Sequence, residues 1–295
     1  MNKRKDSASL KTYLQLGKFS VMIPVSLSAF TGFFLFSPSF DLRSIMVALG
    51  VLMQGLAASA LNQVQEIELD AIMDRTKKRP LPTGKAKRSE ALLYSLITFL
   101  IGSLLIYFGG NALAMVLGII ALLWYNGVYT PLKKRTAFAV IPGSITGAIP
   151  PVIGWVAAGG PILDKISILL AFIFFMGQIP HFWLLILKYG NQYKEAGIPS
   201  LTEIFSNRQL NNLSYIWIVA ALVSALMLAS FNIIQTFFLN IILIFLTITG
   251  IYTFRNLLNT TKTDGQKKYF ILLNCYYLLL MILLITDKIM YLYNI

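Results

Sequence analysis

The chain has 295 residues, 57% of them apolar and only 13% charged, and carries a net charge of +13 at pH 7. An apolar share that high excludes an ordinary soluble globular protein and points to a polypeptide solvated by lipid. The single cysteine, Cys275, excludes a disulfide framework and a thiolate metal centre, and in its apolar run it reads as a small buried hydrophobe.

The first stretch, Met1 to Ser9, is polar and lacks the apolar core and small-residue cleavage site of a signal peptide. Nine apolar runs follow, at roughly 19–36, 44–62, 91–108, 111–130, 139–158, 166–187, 213–231, 234–254 and 269–292. Each approaches the ~20 residues that a helix needs to cross a hydrocarbon core about 30 Å thick. No polar stretch is long enough for a separate soluble domain. The chain, 1–295, therefore reads as one all-α integral membrane domain of nine transmembrane helices, with 1–18 as a cytoplasmic N-terminal segment.

Lys and Arg are distributed unevenly over the connections. Alternate connections hold 22 of the 25, leaving Arg43, Lys165 and Lys288 on or near the other side. Cations collect on the cytoplasmic side, which predicts a cytoplasmic N-terminus in the cell inner (plasma) membrane, with the lipid bilayer as a partner. The net charge is then topological, and nucleic acid is not expected as a partner. Connections on the sparse side, such as Gly109-Gly110-Asn111 and Phe231-Asn232, are very short and predict antiparallel hairpins. The longer, basic connections carry most of the remaining polar residues.

The densest of these begins at the end of the second run. Four of the twelve acidic residues, Glu66, Glu68, Asp70 and Asp74, fall within nine positions, directly before Arg75, Lys77, Lys78 and Arg79. If the helix continues past Asn62, residues 62, 66, 70 and 74 share one face. Like charges at that spacing repel unless a cation lies between them. A hard divalent ion such as Mg²⁺ suits oxygen donors and commonly bridges one or two carboxylates to substrate phosphates. A solvated acidic face balancing the basic run is the competing reading.

Three later segments carry chemistry-bearing residues. At the end of the fourth run, Tyr125 and Tyr129 precede Lys133, Lys134 and Arg135, a set suited to phosphate oxygens or, equally, to an interfacial anchor. In the fifth run, Gly143 and Gly147 form a small-xxx-small pattern for close helix packing, and Pro150-Pro151 should distort the helix. At the inner end of the sixth lies the only histidine, His181, after Pro180 and before the loop Gln192-Tyr193-Lys194-Glu195. Either a packing or a ligand role fits a lone intramembrane histidine.

Taken together and in this order, these segments resemble the UbiA superfamily of intramembrane prenyltransferases. Its first motif, an Asn and two acidic residues at four-residue steps followed by Arg-Thr and Arg-Pro-Leu, is matched by Asn62, Glu66, Asp70, Arg75, Thr76, Arg79, Pro80 and Leu81. Within it, the chain is most similar to the protoheme IX farnesyltransferases, through Met73 to Lys77, Val128-Tyr129, Lys134-Arg135, Gly143 to Gly154, Pro180-His181 and Tyr193 to Pro199. The matching segments cover roughly 55–200; the last three runs contribute hydropathy alone.

The resemblance implies a nine-helix bundle around a central cavity whose cytoplasmic mouth binds farnesyl (prenyl) diphosphate through Mg²⁺. It implies catalytic and metal-holding roles for Asn62, Glu66 and Asp70, with Asp74 as a further metal ligand. Lys18, Arg75, Lys78, Lys134 and Arg135 would neutralise the diphosphate, and Tyr125, Tyr129, His181 and Gln192 would line the acceptor pocket. The implied acceptor is haem b, whose vinyl group would receive the farnesyl chain to give haem O. An aromatic or quinone precursor is the alternative acceptor.

Two departures stand out. Glu66 takes a position that is more often Asp, and Gln192 stands where an Asp of a second acidic motif is expected, which places a second Mg²⁺ in doubt. An ion-coupled transporter, the alternative of another class, predicts ionisable residues near mid-bilayer and repeated halves. The sequence has neither.

Overall fold

The structure is a computed structural model describing residues 9–259 and 266–293. Among them are nine helices long and apolar enough to cross a membrane, and no strand. The basic residues Lys3, Arg4, Lys5 and Lys262 lie outside the described residues.

A short helix, α1 (Leu10–Leu16), leads into α2 (Phe19–Phe36) through Gly17 and Lys18, the latter at φ 51°, ψ 48°. Next come α3 (Leu42–Gln65), α4 (Ile67–Ile72) and α5 (Arg88–Gly109). The fourth crossing is composite: α6 (Ala112–Leu123), a π-helical turn at Trp124–Tyr129, and α7 (Thr130–Leu132). It is followed by α8 (Val140–Ala157), α9 (Lys165–Glu195), α10 (Leu201–Ile204), α11 (Asn207–Ala225) and α12 (Met227–Ser230). The last two crossings are α13 (Phe237–Arg255) and α14 (Gln266–Tyr293).

Short polar residues start the spans. Asp41, Asn111, Asp164 and Ser206 each accept a hydrogen bond from a first-turn backbone N–H of α3, α6, α9 and α11. This satisfies donors that lipid cannot. Between spans, glycine allows backbones to meet: a Cβ on Gly32 of α2 would overlap Pro151 O of α8, and one on Gly154 would overlap Ala29 O. Gly50 and Gly102 play the same part between α3 and α5, each within 3 Å of the other's carbonyl oxygen if given a Cβ. Gly143 and Gly147 instead make room for side chains, the Tyr129 ring and Gln178.

Three expectations change. The helix does not run from Asn62 through Asp74: it breaks at Glu66 (φ −126°, ψ 19°) and restarts as α4. The helix of the sixth crossing continues to Glu195, past the apolar run that ends at 187. Its proline, like Pro150 and Pro151 of α8, lies inside a helix that continues past it. Cys275 is exposed on α14 instead of buried, a small apolar residue turned outward.

At the end opposite the basic connections, charge is tied to backbone. Arg43 donates from Nε to Gly109 O (3.1 Å) and from Nη2 to Ala157 O (3.3 Å), capping the last turns of α5 and α8. Asp287 on α14, fully buried, accepts from the backbone N–H groups of Gln235 and Thr236, 2.8–3.1 Å away, at the start of α13.

Candidate active site

At the basic end, the break at Glu66 turns the chain so that α4 folds beneath α3. Thr76 Oγ1 donates to Asp70 O (3.0 Å) and closes the turn after α4. Met73 and Leu69 pack against Tyr193, Ala196 and Ile198 at and just past the end of α9. This docking brings the first acidic motif against the segment that holds Gln192, whose Oε1 accepts from Arg75 N at 3.1 Å. Where a second acidic motif was expected, a neutral carboxamide holds the backbone of the first.

Asn62, Glu66 and Asp70 are 2%, 4% and 3% exposed, a depth at which a carboxylate needs a partner. Each has one. Lys133 Nζ lies 2.6 Å from Glu66 Oε1 and 2.7 Å from Oε2, with hydrogen-bond geometry to Oε2 alone. Arg79 Nη1 donates to both oxygens of Asp70 at 2.7 Å. Lys18, half-buried beside α2, faces Arg79, Lys133, Arg75 and Glu66. Burial, then repulsion from Arg79 and Lys133, pushes its ammonium pKa down to about 7.

The π-helical turn positions the facing crossing. It presents Asn126, Thr130 and Lys133 to α3, where they form a polar zipper. Asn126 Nδ2 donates to Gln65 Oε1 (3.0 Å) and Ala58 O (3.1 Å), and Gln65 Nε2 donates to Asn126 O (3.0 Å). Asn62 Nδ2 donates to Thr130 Oγ1 at 3.1 Å, and Lys133 completes the zipper on Glu66. Such turns are frequent at functional sites because they shift helix phase locally.

Aromatic rings cover the inner side. Tyr125 and Tyr129 stack with centroids 5.6 Å apart, and Tyr129 meets Phe182 of α9 at 5.7 Å. Tyr125 is within electrostatic reach of Glu66, Asp70, Arg79 and Tyr193. Lys133 Nζ lies 5.8 Å from the Tyr129 ring centroid, a cation–π contact. His181, next to Phe182, packs on Phe270 of α14 at 4.6 Å and is within hydrogen-bonding reach of Asn274.

Of the residues singled out in the sequence, Asn62, Glu66, Asp70, Lys18, Tyr125 and Tyr129 converge here. Arg75 is exposed and lies 5.2 Å over the Tyr189 ring, at the rim. Asp74 does not join the buried carboxylates: it is exposed and paired with Lys77, whose ammonium draws its carboxyl pKa below the ordinary value. Lys78 is exposed as well. Lys134 donates to Gln65 O (3.1 Å) and with Arg135 lines a recess shared with Gln65, Asn126, Thr130 and Pro131 on the outer side of the zipper. Arg79 and Lys133, which hold the carboxylates, stood in the basic runs without a role of their own, and Thr130, which holds the amide, was not singled out. The signal for Lys133 is its spacing from Asn126 and Thr130, seven and three residues, which places all three on one helical face.

No group of three or more His, Cys, Asp or Glu suited to a metal occurs among the described residues. The donors that fit a hard cation are oxygens: Glu66 Oε1, buried and without a hydrogen bond, and the amide oxygen of Asn62, whose amide nitrogen is already engaged. So few protein donors suit Mg²⁺, which keeps several waters and takes ligands from substrate phosphates.

The UbiA prenyltransferase family model matches residues 21–276. The protoheme IX farnesyltransferase of Geobacter sulfurreducens is 44% identical over 191 residues, covering 64% of this chain and 70% of the relative. That of Oleidesulfovibrio alaskensis is 32% identical over 279 residues, or 95% and 97% of the two chains. Among solved structures, a digeranylgeranylglyceryl phosphate synthase has the same fold, with TM-score 0.75 at 22% identity, covering 95% of this chain and 98% of that one. A UbiA homologue from Archaeoglobus fulgidus, bound to GPP and Mg²⁺, gives TM-score 0.65 at 14% identity, covering 93% and 99%. A multi-pass membrane enzyme, the chain belongs to the UbiA prenyltransferase family.

Proposed function

We propose that this protein moves a farnesyl group from farnesyl diphosphate to a vinyl group of haem b, giving haem O, with Mg²⁺ at Asn62, Glu66 and Asp70. The whole chain acts as one domain in the plasma membrane, with the site at its cytoplasmic face. The observation that carries the reading is the pair of buried carboxylates held by side-chain cations beside the buried Asn62, whose amide nitrogen is engaged by Thr130. Haem as acceptor is supported by relatives named protoheme IX farnesyltransferase, one of them aligned over 95% of this chain.

Bound Mg²⁺ would supply positive charge that stabilises the departing diphosphate. Lys133 and Arg79 would turn from carboxylate to phosphate oxygens when the diphosphate enters, and Lys18, in the same cluster, would add its charge. The C1–O bond of the allylic diphosphate then breaks, and pyrophosphate leaves with the electron pair. Stacked Tyr125 and Tyr129 present π faces to the allylic cation and exclude water from it. The terminal vinyl carbon attacks C1, and the cation left on the adjacent carbon takes water and loses a proton to become the hydroxyl. No redox partner is needed.

The test is direct. Proteoliposomes containing the protein receive Mg²⁺, farnesyl diphosphate and either haem b or a naphthoate, and products are identified by mass. Haem O supports the reading; a prenylated naphthoate without haem O would replace the acceptor with an aromatic precursor.

A further inference from the structure

The orientation of the Asn62 amide is set by a residue outside the acidic motif. Thr130 is 1% exposed, and its Oγ1–H donates to Tyr125 O at 2.9 Å. In the π-helical turn Tyr125 O, the i−5 carbonyl, also accepts the Thr130 backbone N–H. With its proton committed to that carbonyl, the Thr130 hydroxyl can only accept from a third group. Asn62 Nδ2 supplies the donor at 3.1 Å. A flipped amide would set Asn62 Oδ1 against an oxygen with no proton to give, and would leave a buried N–H₂ without that partner.

We propose that Thr130 is a positioning residue that locks the Asn62 amide with its nitrogen toward the π-helical turn and its oxygen free for the metal. The proposal deepens the Mg²⁺–diphosphate reading above and rests on it. Partners that fix the orientation of a metal-binding side chain typically matter by 10- to 100-fold in metal affinity.

The test uses the full chain in detergent with the unreactive analogue farnesyl S-thiolodiphosphate, titrated with Mn²⁺ and read as free Mn²⁺ by electron paramagnetic resonance. Thr130→Val keeps the side-chain shape and removes the acceptor; it should weaken Mn²⁺ binding by about tenfold or more. Thr130→Ser, which keeps the hydroxyl, should bind within about twofold of wild type. In an Asn62→Ala background, Thr130→Val should add no further loss. Should Thr130→Val fail to elute as a folded species, Thr130→Ala takes its place in each comparison.

Wild-type affinity in the valine variant would overturn the proposal. So would a serine variant as weak as the valine one, since packing of the methyl group would then be the cause, or a full additional loss in the Asn62→Ala background. Absence of Mn²⁺ binding by wild type would instead sink the Mg²⁺–diphosphate reading, and this proposal with it.

Discussion

The two ends of the bundle both use charge, and they use it differently. At the end opposite the basic connections, Asp287 spends both oxygens on backbone N–H groups and Arg43 donates to two helix-terminal carbonyls. Those partners are parts of the fold and have no reason to let go. At the basic end, Glu66 and Asp70 are held by the tips of long side chains, Lys133 and Arg79, which can turn to another anion without unfolding anything. Charge bound to backbone holds structure; charge bound to a flexible cation in a buried site is poised for a ligand.

Substitutions on the two sides should separate these roles. Asp70→Asn keeps the shape and removes the charge that Arg79 and the metal require; turnover should fall about 1000-fold while the yield of folded protein is unchanged. Turnover within tenfold of wild type would return the acidic motif to a solvated face. At the other end, Asp287→Ala leaves the Gln235 and Thr236 N–H groups unpartnered and should lower stability by roughly 2–4 kcal/mol. Thermal unfolding in detergent reads this loss, and the surviving protein should turn over normally.

Neighbouring lysines sharpen the comparison. Lys133→Met should raise the KM for farnesyl diphosphate about tenfold, because it removes a partly buried cation from the site. Lys134→Met, one residue on and directed to Gln65 O, should change KM by less than about twofold. Equal effects in steady-state assays would mean that position on the helix does not matter. The subtlest probe is pH. Lys18, with its pKa at about 7, is charged below neutrality and loses its proton above it. The KM for farnesyl diphosphate should therefore rise by up to about tenfold between pH 6 and 8.5. Lys18→Arg, which stays charged throughout, should flatten that rise; a slope unchanged in this variant would remove Lys18 from diphosphate binding.

Much of the architecture was legible in the sequence because a membrane imposes a length. A run of ~20 apolar residues has few other uses, and the positions of Lys and Arg separate the two sides. Spacing also picked out Asn62, Glu66 and Asp70, though by way of a continuous helix that does not exist. The break at Glu66 has no Gly or Pro to announce it, and arises where α4 and the turn after it dock on the end of α9 through Leu69 and Met73. Docking of that kind is tertiary, so local pattern is blind to it.

Local phase hid the cations. Lys133, Lys134 and Arg135 are alike as a string, and only their angle around the helix separates the first from the other two. That angle depends on the π-helical turn at Trp124–Tyr129, which composition does not reveal. The length of the sixth helix was missed because hydropathy stops at 187 whereas the polar continuation of α9 stays helical to Glu195.

The central claim, that the cations on Glu66 and Asp70 are exchanged for a metal-bound diphosphate, is tested most directly by a structure of the protein with Mg²⁺ and farnesyl S-thiolodiphosphate. Lys133 Nζ and Arg79 Nη1 should then lie within hydrogen-bonding distance of phosphate oxygens, with Asn62, Glu66 and Asp70 turned to metal. A diphosphate bound elsewhere, for example in the recess of Lys134 and Arg135, with the Lys133–Glu66 and Arg79–Asp70 pairs intact, would contradict it.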